Sequence, residues 1–196
     1  MNTLLLLAIV AIIALVLPNL YRHFCEDKKQ EIDVKANASV EQIVAADREY
    51  MFANYGGNYH WYETSVVLKH YLDANEQNGD VELITNVFQV IKEKDGGADT
   101  FVVQISHCDG ECEIIVLDGF WVEDFALNEK LISISFLDAY YRVMSVNYPK
   151  PHSRQCVLRS QVGAKEANAQ YIFGNQKLQL YVDSFTGNVT DKNPVF

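Results

Sequence analysis

The stretch LQLYVDSFTGNV, from Leu178 to Val189, has the pattern of a β-strand that enters a tight turn. In its first half every second residue is Leu or Val, as expected of a strand with one buried face. A polar segment with a single glycine follows. There Asp183 can accept hydrogen bonds from the amides of its own turn, Thr186 can do so more weakly, and Gly187 supplies a left-handed backbone conformation. The stretch therefore predicts a structural turn in a C-terminal hairpin.

Two similar helix starts lie upstream of this hairpin. Ser39 is followed three residues later by Gln42, which is a capping-box pattern. Ser135 and Asp138 have the same spacing, and in both places apolar residues continue at the spacing of a helix. Each pattern predicts a helix that begins just after the serine.

Strand-like runs follow both predicted helices, four after the first and three after the second. Turn clusters such as Asn78-Gly79-Asp80 separate them. A helix followed by an antiparallel meander, twice, predicts an α+β fold in which each sheet packs one face on its own helix. One larger α+β domain with a single long sheet is the alternative.

The C-terminal unit resembles the PepSY domain. It has a capped helix, a three-strand meander and a last strand with the ending Tyr-x-Val-Asp-x-x-Thr-Gly-x-Val, formed here by Tyr181, Val182, Asp183, Thr186, Gly187 and Val189. The resemblance covers roughly residues 132–190. The tandem layout is similar to that of membrane-anchored proteins with two cystatin-like or PepSY-like domains. It implies an extracytoplasmic module that binds or inhibits peptidases, or contacts other proteins, without shared catalytic residues.

The N-terminus carries an uninterrupted apolar run from Leu4 to Leu17, with no charged residue before Arg22. No basic residue precedes the run and no A-x-A site precedes Pro18, so it is a poor match to a cleavable signal peptide. We predict an uncleaved anchor helix over roughly residues 2–21 that contacts membrane lipid. The rest of the chain is then expected in the periplasm or at the cell surface, although the basic residues after the run favour the opposite orientation. A cleaved signal is the alternative.

Together these features predict an α+β fold: an N-terminal apolar helix followed by two helix-plus-antiparallel-meander units of the cystatin-like or PepSY-like kind. The expected segments are an anchor over residues 1–21, a linker over 22–35, an acidic α+β domain over 36–125 and a PepSY-like α+β domain over 126–196.

The acidic charge is concentrated in the middle of the chain. The formal net charge is −10, and residues 36–125 carry 4 Lys or Arg against 17 Asp or Glu, whereas residues 126–196 carry 8 against 5. This balance argues against nucleic acid as a partner, because phosphate binding requires a basic face. The acidic region is either a solvated surface or a site that pairs with a basic partner, including the last third of a neighbouring copy.

Two cysteines lie close together in the sequence. Cys108 and Cys112 flank a three-residue loop with Gly110 at its centre, which predicts a hairpin with the two side chains near disulfide distance. A disulfide, expected outside the cytoplasm, is one interpretation, and free structural thiols are a second. A third is a zinc site, whose further ligands would be His107, or else His152 and Cys156.

Aromatic residues cluster at the start of the first predicted strand and at the end of the fourth. Their ordinary role is packing in the core and across strands. If they are exposed on one face, they mark a protein-binding surface, for which the candidates are Trp61, Tyr62, Phe120 and Trp121.

The sequence contains none of the common catalytic, phosphate-binding or calcium-binding motifs, so no catalytic residue, metal or cofactor is predicted. We predict a non-catalytic, membrane-anchored, extracytoplasmic binding or assembly module that acts through contacts with a protein partner or by self-assembly. One alternative is a pilin-like or other structural subunit of a membrane complex, although Leu5 stands where pilin helices carry an acidic residue. The others are a peptidase-inhibitory or regulatory module, and a metal-dependent enzyme that uses Cys108, Cys112, His152 and Cys156.

Overall fold

The computed structural model describes residues 32, 34–35, 37–74, 78–94, 97–121, 125–160 and 168–193. The first half contains helix α1 and four strands: α1 (Val40–Tyr55), β1 (Tyr59–Leu68), β2 (Val81–Lys94), β3 (Gly97–Cys108) and β4 (Glu111–Asp118). A short 3-10 helix (Glu129–Leu131) leads into the second half, which contains α2 (Phe136–Ser145), β5 (Gln155–Arg159), β6 (Gln170–Asn175), β7 (Leu178–Asp183) and β8 (Val189–Thr190).

Both helices begin at the predicted serines, whose side chains cap the helix N-termini. The Ser39 hydroxyl accepts from the Gln42 amide at 3.3 Å, and the Gln42 side chain accepts from the Ser39 amide at 2.9 Å, so the predicted capping box is confirmed. Ser135 likewise accepts from the Asp138 amide at 3.1 Å. In addition, the Glu41 carboxylate of α1 accepts the Phe136 amide of α2 at 2.7 Å, which links the two helix starts.

All eight strands form one antiparallel sheet in the order β4-β3-β2-β1-β5-β6-β7-β8. The first strands of the two halves pair with each other, Glu63–Val67 of β1 with Gln155–Arg159 of β5. The predicted fold class, with two helix-plus-meander units each on its own sheet, is therefore wrong. If the two sheets were separate, the β1 edge and the β5 edge would each have unpaired backbone N–H and C=O groups. Pairing β1 with β5 gives the groups on both edges hydrogen-bond partners. The single long sheet is the alternative stated above.

Both helices pack on the same face of this sheet. Successive cross-strand partners on five adjacent strands lie on that face: His107, Ile84, Val66, Cys156 and Phe173. At one end of the row His107 contacts Asp47 of α1, and at the other Phe173 stacks on Phe136 of α2. One hydrophobic core thus continues beneath both helices.

The predicted anchor helix over residues 2–21 lies outside the described residues. Among the described residues, no helix is long and apolar enough to cross a membrane. This finding contradicts the prediction of a membrane-anchored, extracytoplasmic protein.

Candidate functional site

The β3–β4 hairpin turns through only two residues, Asp109 and Gly110, whose φ angles of 50° and 83° are both positive. This register places Cys112 opposite His107, one residue out of line with Cys108. Because neighbouring residues of a strand point to opposite faces, Cys108 points away from the face that holds Cys112. Both thiols are free, so the predicted Cys108–Cys112 disulfide is wrong.

The structure separates the residues of the predicted metal-site alternative. Strands β3, β2 and β1 lie between Cys112 on β4 and Cys156 on β5, which at about 4.8 Å per strand step places them roughly 19 Å apart. His152 contacts Asp73 at 3.0 Å and stacks on Tyr71. In the described part of the chain, no group of three or more His, Cys, Asp or Glu side chains could hold a metal ion.

A chain of hydrogen-bonded side chains crosses the buried interface between α1 and the sheet. Asp47 of α1 is fully buried, and its carboxylate accepts from Asn86 Nδ2 at 2.6 Å and contacts His107 Nε2 at 2.7 Å. Asn86 Oδ1 accepts from the Thr64 hydroxyl, which itself accepts from Trp61 Nε1 at 3.2 Å. We call these five residues the Asp47 network. They tie the helix to strands β1, β2 and β3.

Burial and the Asp47 network both affect the pKa of a neighbouring thiol, Cys112. Burial raises the pKa of Asp47, and the opposing effects of His107 and Asn86 offset only part of that rise. Cys112 lies opposite His107 on the hairpin, so an acid, a histidine and a thiol share this region. Burial and the Asp47 carboxylate raise the pKa of Cys112 to about 11. A nucleophilic cysteine needs the opposite shift, because the thiolate is the reactive form.

Sequence reasoning missed Asp47, although a signal for it exists. On α1 it stands at helical spacing from Ile43, Val44 and Met51, which are all buried. An acidic residue within an apolar helical stripe enters the core and needs polar partners there. The strand residues that supply them have no comparable signal, since a polar residue in a half-buried strand is ordinary.

Strand β4 forms one edge of the sheet and carries exposed apolar side chains. Ile115, Val116 and Leu117 are 39%, 52% and 47% exposed. Phe120, just beyond the strand, is 76% exposed. We call these four residues the β4 edge surface. The pairing of β4 with β3 is continuous, and β4 contains no Lys or Pro, so its apolar centre lacks two of the features that prevent edge strands from pairing.

Acidic side chains flank the β4 edge surface. Glu111 and Glu113 precede its apolar run and Asp118 follows it, and all three are exposed. The opposite edge of the sheet is β8, which has only two residues, Val189–Thr190. Within the described residues, the long edge strand without a second neighbour, with its apolar centre and acidic ends, is therefore β4.

The four aromatic residues of the predicted interaction surface have different environments. Trp61 is buried and belongs to the Asp47 network, whereas Tyr62 and Trp121 are half-buried. The backbone amide of Trp121 donates to Gln89 Oε1 at 3.1 Å, and its buried indole Nε1 has no hydrogen-bond partner among the described residues. Of the four, Phe120 is exposed, and it lies within the β4 edge surface.

The turn after β7 is held by its own side chains. Asp183 Oδ1 accepts from the amides of Phe185 at 3.0 Å and Thr186 at 2.6 Å. Gly187 has a φ of 74° and donates its amide to the Asp183 carbonyl at 2.8 Å. Partial burial acts to raise the pKa of Asp183, but hydrogen bonds from Thr186, Asn168 and Phe185 together lower it below its usual value. These contacts stabilise the turn and leave the Asp183 carboxylate occupied.

No family model matches this sequence, and no curated protein or solved structure is significantly similar to it. The resemblance to the PepSY domain therefore stays a prediction.

Proposed function

We propose that this chain is a non-catalytic binding module that adds an extended segment of a protein partner to strand β4. The β4 edge surface is the observation that carries the proposal. In strand addition, backbone hydrogen bonds provide affinity and alternate side chains provide specificity, and β4 offers both a free edge and apolar side chains. An apolar edge of this length would otherwise promote aggregation.

The charges around β4 indicate the chemistry of the partner. Glu113 and Asp118 lie on either side of the apolar run, and the region 36–125 carries 4 basic against 17 acidic residues. Opposite charges that face each other across paired strands stabilise the pair. The favoured partner is therefore an extended segment with an apolar centre and Lys or Arg at both ends.

A second copy of this chain fits the same edge less well. Antiparallel pairing of two β4 strands places the Glu111–Glu113 end of each copy beside the Asp118 end of the other. Acidic side chains would then lie close together at both ends of the pair. Because like charges repel, the charges favour a different, basic partner.

The Asp47 network brings an acid and a histidine close to Cys112, and burial together with the Asp47 carboxylate raises the pKa of this thiol to about 11. The network has a sufficient structural role, because it satisfies the buried polar groups that join α1 to three strands.

Peptide titration tests this proposal. The probe is a fluorescent peptide with alternating Val and Thr in its centre and two Lys at each end, and the matched control peptide carries Glu at those ends. We expect the Lys peptide to bind at least about tenfold more tightly than the Glu peptide, because charge pairs form at both ends of β4. The paired substitution Glu113→Lys with Asp118→Lys should reverse this preference. Glu49→Lys with Glu93→Lys, an equal charge change at exposed positions away from β4, should preserve it.

Amide chemical shifts identify where the peptide binds. Binding of the Lys peptide should perturb the backbone amides of β4 more than those of β8. Equal affinity for both peptides, or perturbations that avoid β4, would contradict the proposal. A dimer that forms without peptide and is abolished by Ile115→Lys would instead assign this edge to a second copy.

A further inference from the structure

A cavity of about 210 Å³ lies beneath α1, where the two halves of the sheet meet. It is bounded by α1, by strands β1, β5 and β6, and by the segment that enters α2. Its walls are mainly apolar, with contributions from Val44, Trp61, Val66, Phe136, Leu158 and Tyr171. The cavity is separate from the β4 edge surface, since none of the four residues of that surface lines it.

The size and lining of the cavity limit what it can hold. An apolar protein cavity of about 150 Å³ accommodates a benzene molecule and stays free of water. The cavity here, at about 210 Å³, has room for such a ring and a short substituent. Among its polar wall groups, the hydroxyls of Thr64 and Tyr171 already donate to Asn86 and to the Ile134 carbonyl. The Glu41 carboxylate, also in the wall, accepts from the Phe136 amide. An apolar body therefore suits the interior.

The side chain of Arg48 lies at the wall of this cavity and has one hydrogen-bond donor without a partner among the described residues. Arg48 Nη2 contacts Glu129 Oε1 at 2.5 Å, and both side chains line the cavity. Arg48 Nε is buried and has no hydrogen-bond partner among the described residues. A carboxylate that approaches a guanidinium from the side uses Nε and one Nη together. Glu129 uses only one of these two donors.

We propose that the cavity binds a small carboxylate with an apolar body, of about ten non-hydrogen atoms in total, whose carboxylate pairs with Arg48. The apolar body fills the space between α1 and the β1–β5 pair. The carboxylate takes both Nε and Nη2 of Arg48 and displaces Glu129. Glu129 can leave because it belongs to a single turn of 3-10 helix and its side chain is about half exposed.

Tryptophan fluorescence can report occupancy of the cavity. The chain has two tryptophans, and Trp61 lines the cavity while Trp121 does not. In a Trp121→Phe background, phenylacetate should change the emission of Trp61 in a saturable way. 2-Phenylacetamide, which has the same shape without the charge, should bind at least about tenfold more weakly, because its contact with Arg48 is not charge-assisted.

A matched pair of arginine variants tests the role of Arg48. Arg48→Met keeps most of the apolar stem and should abolish the preference for phenylacetate over phenylacetamide. Arg154→Met is the control, since Arg154 pairs with Glu82 at the same 2.5 Å and has a similar exposure, 36% against 32% for Arg48. Glu129→Gln removes the competing carboxylate and should raise the affinity for phenylacetate several-fold.

Each outcome has a defined meaning. Thermal unfolding of every variant establishes that it is folded before its affinity is interpreted. The proposal is overturned if phenylacetate leaves the emission of Trp61 unchanged, or if Arg48→Met and Arg154→Met retain the same preference. Binding of both probes with equal affinity to the wild type would show an apolar site without a carboxylate anchor, which also overturns it. These results do not depend on peptide binding at β4.

Discussion

The two halves of the sheet have the same order of elements but differ in size and charge. Each half is a helix followed by four strands, with 10, 14, 12 and 8 residues in the first half and 5, 6, 6 and 2 in the second. Residues 36–125 carry 4 basic against 17 acidic residues, and residues 126–196 carry 8 against 5. One order of elements therefore forms a long, acidic half and a short, slightly basic half.

The two halves also differ in how closely they follow the rules of stable packing. The first half buries the charged residue Asp47 and exposes the β4 edge surface, and both features are costly for stability alone. The second half ends its sheet with a two-residue strand and a turn held by Asp183. Departures from stable packing are concentrated where a protein functions. The comparison therefore supports the proposal that the first half binds the partner and the second half has a supporting role.

The largest expected effect comes from the buried aspartate of the first half. Asp47→Ala should lower the free energy of unfolding by about 3 kcal/mol, because it leaves Asn86 and His107 buried without their partner. Asp183→Ala, at a partly exposed turn of the second half, should lower it by only about 1 kcal/mol. Urea denaturation at neutral pH measures both. Asp47→Asn, which retains one acceptor oxygen, should lose less than Asp47→Ala. Equal losses for the two alanine variants would remove this distinction between the halves.

Glycines with positive φ provide a second contrast. Gly174 on β6 has a φ of 128°, and a Cβ there would collide with the carbonyl oxygen of Leu178. Gly174→Ala should therefore lower the free energy of unfolding by about 3 kcal/mol, from backbone strain together with the collision. Gly110 in the β3–β4 turn has a φ of 83° and open space around it, so Gly110→Ala should cost about 1 kcal/mol. Thermal unfolding of both variants checks this order.

Local features of this fold were predictable from sequence because they depend on residues close together in the chain. The capping box at Ser39 needs only Gln42, and the helix start at Ser135 needs only Asp138. A single sheet, formed by joining β1 to β5, was only the alternative prediction, because strands have the same alternation whether their edges are free or paired. Which edges meet depends on contacts distant in sequence.

The candidate sites also depend on strand register and strand position, which local sequence patterns do not determine. The error at Cys108 and Cys112 came from a turn of two residues where three were expected, and one residue of register reverses the face of a side chain. Of the β4 edge surface, only Phe120 was a predicted candidate, because a run such as Ile114-Ile115-Val116-Leu117 is typical of a buried strand. Only the position of β4 at the edge of the sheet makes these side chains available.

A smaller effect on stability is expected at the β4 edge surface itself. The double substitution Ile115→Lys with Leu117→Lys should lower the free energy of unfolding by no more than about 1 kcal/mol, because both side chains are partly exposed on an edge strand. It should nevertheless reduce the binding of a hydrophobic dye, because the double variant removes exposed apolar area. Ile91→Lys, a similar change at an exposed position on β2, should leave most of the dye binding intact. A large loss of stability in the double variant would show that the edge supports the fold rather than a partner.

The smallest effects concern pH, and they should have opposite signs in the two halves. The pKa of Asp183 is lowered from its usual 3.8 by its hydrogen bonds, which outweigh its burial. Its contribution to stability is therefore fully present above pH 3.8 and is lost as the pH falls through the lower, folded-state pKa. The pKa of Asp47 is raised from 3.8 by burial, so its titration favours the folded state below pH 3.8 and loses that contribution as the pH rises through the folded-state pKa.

Asparagine variants separate these two contributions. As the pH rises from about 3 to the neutral range, the stability advantage of the wild type over Asp183→Asn should grow. Its advantage over Asp47→Asn should shrink through the window that begins at pH 3.8. Urea denaturation at closely spaced pH values measures both differences. Because the two variants make the same chemical change, parallel profiles would mean that burial and hydrogen bonding do not distinguish the aspartates. The electrostatic contrast between the halves would then rest on net charge alone.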